Sequence, residues 1–180
     1  MSRRRAELLA IAADLFADRG YANVTVDDIG EAAGISGPAL YHHFAGKEAL
    51  LGEMLVGISQ YLLDGGRTVV VEATDPLADL ITFHAEFAVD DRSLITVHFR
   101  DLVHARAEDR SKVRHLQARY VALWADVLQQ RSPALDRRRA QAAVHAVLGL
   151  VNSTPFSARL PRSEMLGLLA GMATGALAGI

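Results

Sequence analysis

The twenty residues 25–44, TVDDIGEAAGISGPALYHHF, leave little freedom in how they fold. They read as two short helices joined by a tight turn, and KEAL at 47–50 opens a third. Thr25 is an N-cap residue with Asp28 three positions on, a capping-box-like pair. Val26, Ile29 and Ala33 recur at i, i+3 and i+7 and give one apolar face. Gly34 ends that helix, because glycine accepts the left-handed conformation after the last helical residue. Ser36 caps the second helix, and Pro38 falls where its missing N–H costs little. Leu40 and Phe44, four apart, face inward, which leaves Gly37, Ala39, Tyr41, His42 and His43 as the outward set. Two helices around a short Gly-containing turn make the helix-turn-helix plan.

Residues 8–51 resemble the DNA-binding domain of the TetR family of transcriptional regulators. The resemblance rests on Ala13, Leu15, Phe16, Gly20 and Tyr21, then Thr25, Val26 and Ile29, then Ala33-Gly34-Ile35-Ser36 with Leu40, Tyr41, His43 and Phe44, then Lys47, Glu48 and Leu50. So many fixed positions at fixed spacing are far more specific than a lone short motif. The resemblance implies an all-α chain of about nine helices. A helix-turn-helix domain over 1–46 would precede a ligand-binding and dimerisation domain over 47–180. It further implies a homodimer on a palindromic double-stranded operator, a small-molecule effector, no cofactor and no enzymatic activity. Positions matching Thr25, Ser36, Tyr41, His43 and Lys47 are expected to touch the DNA backbone.

The residues give their own version of these roles. The second helix, 37–43, is expected to enter the major groove with its N-terminal residues nearest the bases. Gly37 and Ala39 allow close approach, Pro38 is counted with them as a DNA-binding candidate, Tyr41 can donate its hydroxyl to a phosphate, and His42 can meet a base or a phosphate. Lys47 and Thr25 sit at helix starts where phosphate is welcome. His43 is read either as a contact or as a cap. Arg3, Arg4 and Arg5 form a basic arm ahead of the first helix, or else a solvated tail. These local charges matter because the net charge of the chain is −2, which gives no general support for nucleic-acid binding.

Composition excludes several classes. The 180 residues contain no cysteine, so disulfide frameworks, thiolate zinc sites and thiol redox chemistry are out. The start, MSRRRAELLA, reads as an amphipathic helix rather than a signal peptide, which places the protein in the bacterial cytoplasm. No His-Glu-x-x-His pair, nucleophile elbow or glycine-rich phosphate loop is present. His98, Asp101 and His104, at i, i+3 and i+6, are the one alternative: with His84 or Glu86 they could hold a metal and make a metal-sensing regulator. A helical dimer that has lost DNA binding is the other alternative.

Beyond Lys47 the pattern is helix after helix. Helices are expected over 47–63, 76–89, 92–105, 111–131 and 134–153, and from Ser163 nearly to Ile180. Gly65-Gly66 weakens or ends the first of these. Thr68–Val71 is β-branched but has no partner strand, so it continues as helix. In the last helix Gly167, Gly171, Gly175 and Gly179 recur every four residues. Each glycine costs a helix about 1 kcal/mol relative to alanine, so a tight helix–helix contact must offset them. That contact is read as a dimer interface of Gly167, Gly171 and Gly175 with Val144, Leu148 and Val151 of the preceding helix, a four-helix bundle between two chains. Packing within one chain is the alternative. The resemblance implies that the middle helices, residues 76–131, hold the ligand pocket. Phe83, Phe87, Phe99, Leu102, Tyr120 and Trp124 are the large apolar candidates, and Asn152 is a polar residue in an apolar stretch that needs a partner. A hydrophobic or aromatic effector fits such a lining, and the resemblance adds acyl-CoA thioesters, which some members of that family bind.

Overall fold

The computed structural model describes residues 3–180, which contain ten α-helical segments, two 3-10 turns and no strand. In chain order the helices are α1 (Arg3–Arg19), α2 (Val26–Ala32), α3 (Gly37–Leu40), α4 (Lys47–Glu72), α5 (Pro76–Asp90), α6 (Arg92–Asp101), α7 (Ala107–Arg131), α8 (Arg137–Val151), α9 (Thr154–Ser157) and α10 (Arg162–Ala178). No described helix is long and apolar enough to cross a membrane. The helices form two compact units.

The first unit takes the described residues up to Ser59 together with Ser93–Arg114. Helix α1 turns Leu8, Ala12, Ala13 and Phe16 inward at helical spacing. They meet Ile29 of α2, Leu40 of α3, Phe44, and Leu50, Leu51 and Leu55 of α4. Val97, Ala105 and Val113 complete this core from the far segment. A unit assigned to residues 1–46 alone would lack these last six side chains.

The second unit takes Gln60–Arg92 and His115–Ile180. In it α5 packs against α8 and α10. The α5 cap is as expected, the Asp75 carboxylate accepting from Ala78 N–H at 3.2 Å. Helix α8 starts later than expected because Asp136 is its cap, accepting from Arg139 N–H at 2.9 Å. Helix α7 starts one turn earlier than expected, and its first turn carries Glu108 and Asp109, which suit the positive helix end.

Gly65-Gly66 does not end α4, which runs unbroken through the β-branched stretch to Glu72. The glycines are explained by what lies over them. A Cβ on Gly65 would sit 2.4 Å from Cζ of Phe83, and one on Gly66 would sit 2.8 Å from Cε2 of Tyr120 and 3.0 Å from Cδ2 of Leu123. The rings of α5 and α7 rest directly on the α4 backbone. Gly66→Ala should therefore destabilise the chain by about 1 kcal/mol, because overpacking against the buried Tyr120 ring outweighs the better helix propensity. Urea unfolding measures this, and a raised midpoint would show that the ring gives way.

Candidate functional site

The helix-turn-helix is built by caps and one close approach. The Thr25 hydroxyl accepts from Asp28 N–H at 3.1 Å, while the Asp28 carboxylate accepts from Thr25 N–H at 2.6 Å, a complete capping box. The Thr25 hydroxyl and backbone hydrogen bonds hold the Asp28 carboxyl below the ordinary carboxylate range. At the other end of α2, Gly34 has φ 66°, and Gly34 and Ile35 N–H return to the Glu31 and Gly30 carbonyls at 3.0 and 2.9 Å, a Schellman closure. A Cβ on Gly30 would lie 2.9 Å from the Ile35 carbonyl oxygen and 3.0 Å from Gly37 N. The backbone of the turn is thus seated on α2 at Gly30.

Ser36 caps α3, its hydroxyl accepting from Ala39 N–H at 3.3 Å. Helix α3 is a single turn, and residues 41–43 continue it with i→i−3 bonds, so the second helix is shorter than the expected 37–43. Leu40 and Phe44 are buried as expected. Tyr41 is 59% exposed, and Ser36, Pro38 and His42 are also exposed, with Ala39 and His43 half-buried. Gly37 is a correction: it is buried against α2, where a Cβ would collide with the Asp27 carboxylate, so it serves packing within the unit rather than presenting an outward face.

Three cations expected to meet phosphate are engaged inside the unit. Lys47 Nζ donates to the carbonyls of Tyr21 at 2.7 Å and Val24 at 2.6 Å, and lies 4.3 Å over the Tyr21 ring. Burial pushes its pKa down. The arginines are no arm, for α1 already begins at Arg3. Arg4 donates to the Ala33 carbonyl at 2.6 Å and pairs with Glu7 at 2.8 Å. Arg5 donates to the His43 carbonyl and pairs with Glu53. Arg3 is exposed. Sequence alone does not foresee a guanidinium saturating helix-end carbonyls, since the partners lie 29 and 38 residues away.

In the second unit the candidate ligand residues gather on a side chain that the sequence pattern offers only as a spare metal ligand. His84 of α5 is buried; its Nε2 lies 3.1 Å from Asn152 Oδ1 and its Nδ1 3.3 Å from the Tyr120 hydroxyl. The rings of Phe87, Tyr120 and Trp124 surround it with centroids at 5.7, 5.7 and 6.1 Å. Burial pushes the His84 pKa down to about 4, so the ring is neutral at pH 7. A neutral ring satisfies both neighbours when Nε2–H donates to Asn152 and Nδ1 accepts from Tyr120 O–H. Burial raises the Tyr120 phenol, which keeps that proton in place. The Trp124 indole N–H is fully buried and makes no hydrogen bond of good geometry among the described residues, its polar neighbour being the Tyr120 hydroxyl. Phe83 lies beside this group on Gly65, next to Tyr61. Phe99 and Leu102 are corrections. Both belong to the first unit, where Phe99 is 63% exposed and Leu102 packs on the α1–α4 core.

Residues 8–54 match the model of the bacterial regulatory proteins of the tetR family, and residues 71–156 match that of the tetracyclin repressor-like C-terminal domain. The HTH-type transcriptional repressor KstR2 of Rhodococcus jostii RHA1 is 37% identical over 132 residues, which are 71% of this chain and 65% of that protein. The chain belongs to the tetR family. It spans about two thirds of the length of the curated relatives it matches. Among solved tetR-family structures, that of the ketosteroid transcriptional regulator KstR2 of Mycobacterium tuberculosis is 26% identical with a TM-score of 0.77, covering 100% of this chain and 96% of that one. A TetR-family transcriptional regulator from Bordetella parapertussis 12822 has a TM-score of 0.85 at 22% identity, covering 100% and 98%.

This tetR-family chain presents its glycine stripe outward. A Cβ on Gly167, Gly171, Gly175 or Gly179 would meet nothing within 4 Å, and the face of α10 that packs inward is Met165, Leu169, Ala173 and Leu177. Val144 and Val151 are corrections, because they are buried in the same core under α5 and α10. Leu148 is half-buried, and the exposed face of α8 is Ala142, His145, Ala146 and Gly149. An apolar stripe in a sequence does not say whether its own chain or a second copy covers it. The residues of the metal alternative are engaged elsewhere. Asp101 is buried on Arg100, with Nε–Oδ1 at 3.1 Å, His104 stacks on Tyr21 with centroids at 5.2 Å, and His98 packs edge-on to Phe99. No group of three potential ligands converges among the described residues.

Proposed function

We propose that this chain is a transcriptional repressor that binds a palindromic operator as a homodimer and is released by a small hydrophobic or aromatic ligand. The observation that carries the DNA reading is the exposed set Ser36, Pro38, Tyr41 and His42 on a turn whose inward side is wholly committed to the core. A large aromatic left outside the core, beside a polar and a titratable side chain, suits a phosphate and base edge in a groove. Arg3 is the further candidate for a phosphate contact. Thr25 keeps its hydroxyl in the capping box, and Lys47 orders the turn at Tyr21–Asn23.

The dimer reading draws on the outward stripe of Gly167, Gly171 and Gly175, with Leu168 and Met172 at 47% and 49% exposure beside it. A second copy covering α8 and α10 would offset the three glycines within α10, Gly179 lying just past its end. The ligand reading draws on His84, Tyr120, Asn152 and the buried, weakly satisfied Trp124 N–H within an aromatic core. An effector with an apolar body and one hydrogen-bond acceptor would satisfy that N–H. Ketosteroids, for which one relative is named, and acyl thioesters in general are of this type. For release the ligand must bind the DNA-incompetent state better.

Selection of a random duplex library on the purified protein is expected to enrich a palindrome with half-sites about one helical turn apart. On the selected duplex, Tyr41→Ala and His42→Ala should each weaken binding about tenfold while the melting temperature holds. Wild-type affinity in both variants would remove this face as the DNA contact.

A further inference from the structure

Arg5 stands in the first turn of α1, where an exposed basic residue is expected to face solvent or phosphate. Its guanidinium instead turns inward and, among the described residues, meets the His43 carbonyl, the Glu53 carboxylate and the Phe44 ring. Nη1 donates to the His43 carbonyl, the last of the α3 turn. Nε donates to Glu53 Oε1 at 2.5 Å and Nη2 to Glu53 Oε2, a two-bond fork on α4. The guanidinium carbon lies 4.3 Å from the centroid of the buried Phe44 ring. The carbonyls at the end of a helical turn have no partner of their own and require one from outside. Arg4 does the same for the preceding element, donating to the Ala33 carbonyl that follows α2.

A half-exposed ion pair contributes little stability by itself, and the Arg5 and Glu53 side chains are 32% and 35% exposed. What a planar fork supplies is direction. The guanidinium fixes the angle between Glu53 on α4 and the carbonyl that ends the α3 turn, and the Phe44 ring prevents it from tilting. His42 and Tyr41 lie one and two residues before His43, whose carbonyl this is.

We infer that Arg5 is a positioning residue for DNA recognition: it locks the end of the α3 turn to Glu53 of α4, sets the attitude at which Tyr41 and His42 meet the groove, and makes no phosphate contact. This rests on the DNA-binding reading above. A phosphate-directed arginine and a positioning arginine differ in salt dependence. Removing one cation that meets a phosphate reduces the slope of log affinity against log salt by about 1, whereas a misdirected turn weakens binding equally at every salt concentration.

The test uses the full chain, the selected duplex, and the variants Arg5→Gln, Arg5→Lys and Glu53→Gln, with active fractions fixed by stoichiometric titration well below the melting temperature. Affinity should fall about tenfold in Arg5→Gln with an unchanged salt slope. Arg5→Lys should not rescue it, because an ammonium cannot make the fork. Glu53→Gln should also weaken binding, although it removes a negative charge that on electrostatics alone repels DNA. A reduced slope in Arg5→Gln, or tighter binding by Glu53→Gln, overturns the inference. Hydrogen exchange of the His42, His43 and Phe44 amides, which donate to the Ala39 and Leu40 carbonyls, reads the lock without DNA. Exchange there should quicken in Arg5→Gln, and unchanged exchange overturns the lock. A wild-type chain that selects no duplex would count against the DNA reading alone, with exchange still deciding whether Arg5 holds the turn.

Discussion

Replacing Gly30 by valine is expected to abolish operator binding and to lower the stability of the chain by about 3 kcal/mol, the upper range for overpacking against groups that cannot move aside. The neighbours are backbone: the Ile35 carbonyl at 2.9 Å, Gly37 N at 3.0 Å and the Ser36 carbonyl carbon at 3.2 Å from the added Cβ. The Ile35 N–H to Gly30 carbonyl bond at 2.9 Å closes α2 at the same place, so the turn cannot retreat without opening that closure. Valine adds two further methyl groups. Urea unfolding and titration of the selected duplex measure the two effects. Wild-type affinity in a folded Gly30→Val chain would show that the α2–α3 seating does not govern recognition.

The stability of the chain should fall as pH drops from about 6.5 towards 4 through His84. Burial lowers this side chain from 6.5 to about 4, so the unfolded chain takes up a proton in that interval while the folded chain does not. Stability from this group is complete above pH 6.5 and drains as pH falls towards the folded value, in total on the order of 3 kcal/mol. The sign is opposite to that of a histidine stabilised in its charged form. His84→Gln cannot titrate, so its unfolding free energy should converge with that of the wild type across this interval. Parallel curves from pH 7 to about pH 4 would mean that water reaches the ring or that the folded protein accepts the proton there.

What can be read from the sequence is local. Thr25 with Asp28, Gly34, Ser36 and Asp75 announce helix ends through atoms three to five residues apart, and the structure has each of them in that role. Gly65-Gly66 reads as a break because propensity is the only visible influence, whereas Phe83 and Tyr120, distant in sequence, require the bare backbone. Gly30 does carry a signal. A glycine inside a short, otherwise regular helix next to a turn marks a close approach of backbones. The Arg4 and Arg5 contacts carry none, for a basic triplet looks the same whether it meets phosphate or a carbonyl. In the ligand core Tyr120, Trp124 and Asn152 stand out as polar tips among apolar neighbours, but the histidine that joins two of them becomes visible only once α5 lies against them.

Arg100 bears on how the chain reaches its fold. Its guanidinium donates to the Phe16 and Ala17 carbonyls near the end of α1, across 84 and 83 residues, while its other edge holds the buried Asp101. Together with Val97 and Val113 it makes the first unit a knot of early and late segments. During synthesis the first three helices leave the ribosome with one wall of their core still unmade, and that wall is complete only when residue 113 has followed. Closing loops of such length is slow relative to forming the helices themselves. Until then the N-terminal core lacks Val97, Ala105 and Val113, and apolar surface left open in this way is what chaperones bind and proteases reach.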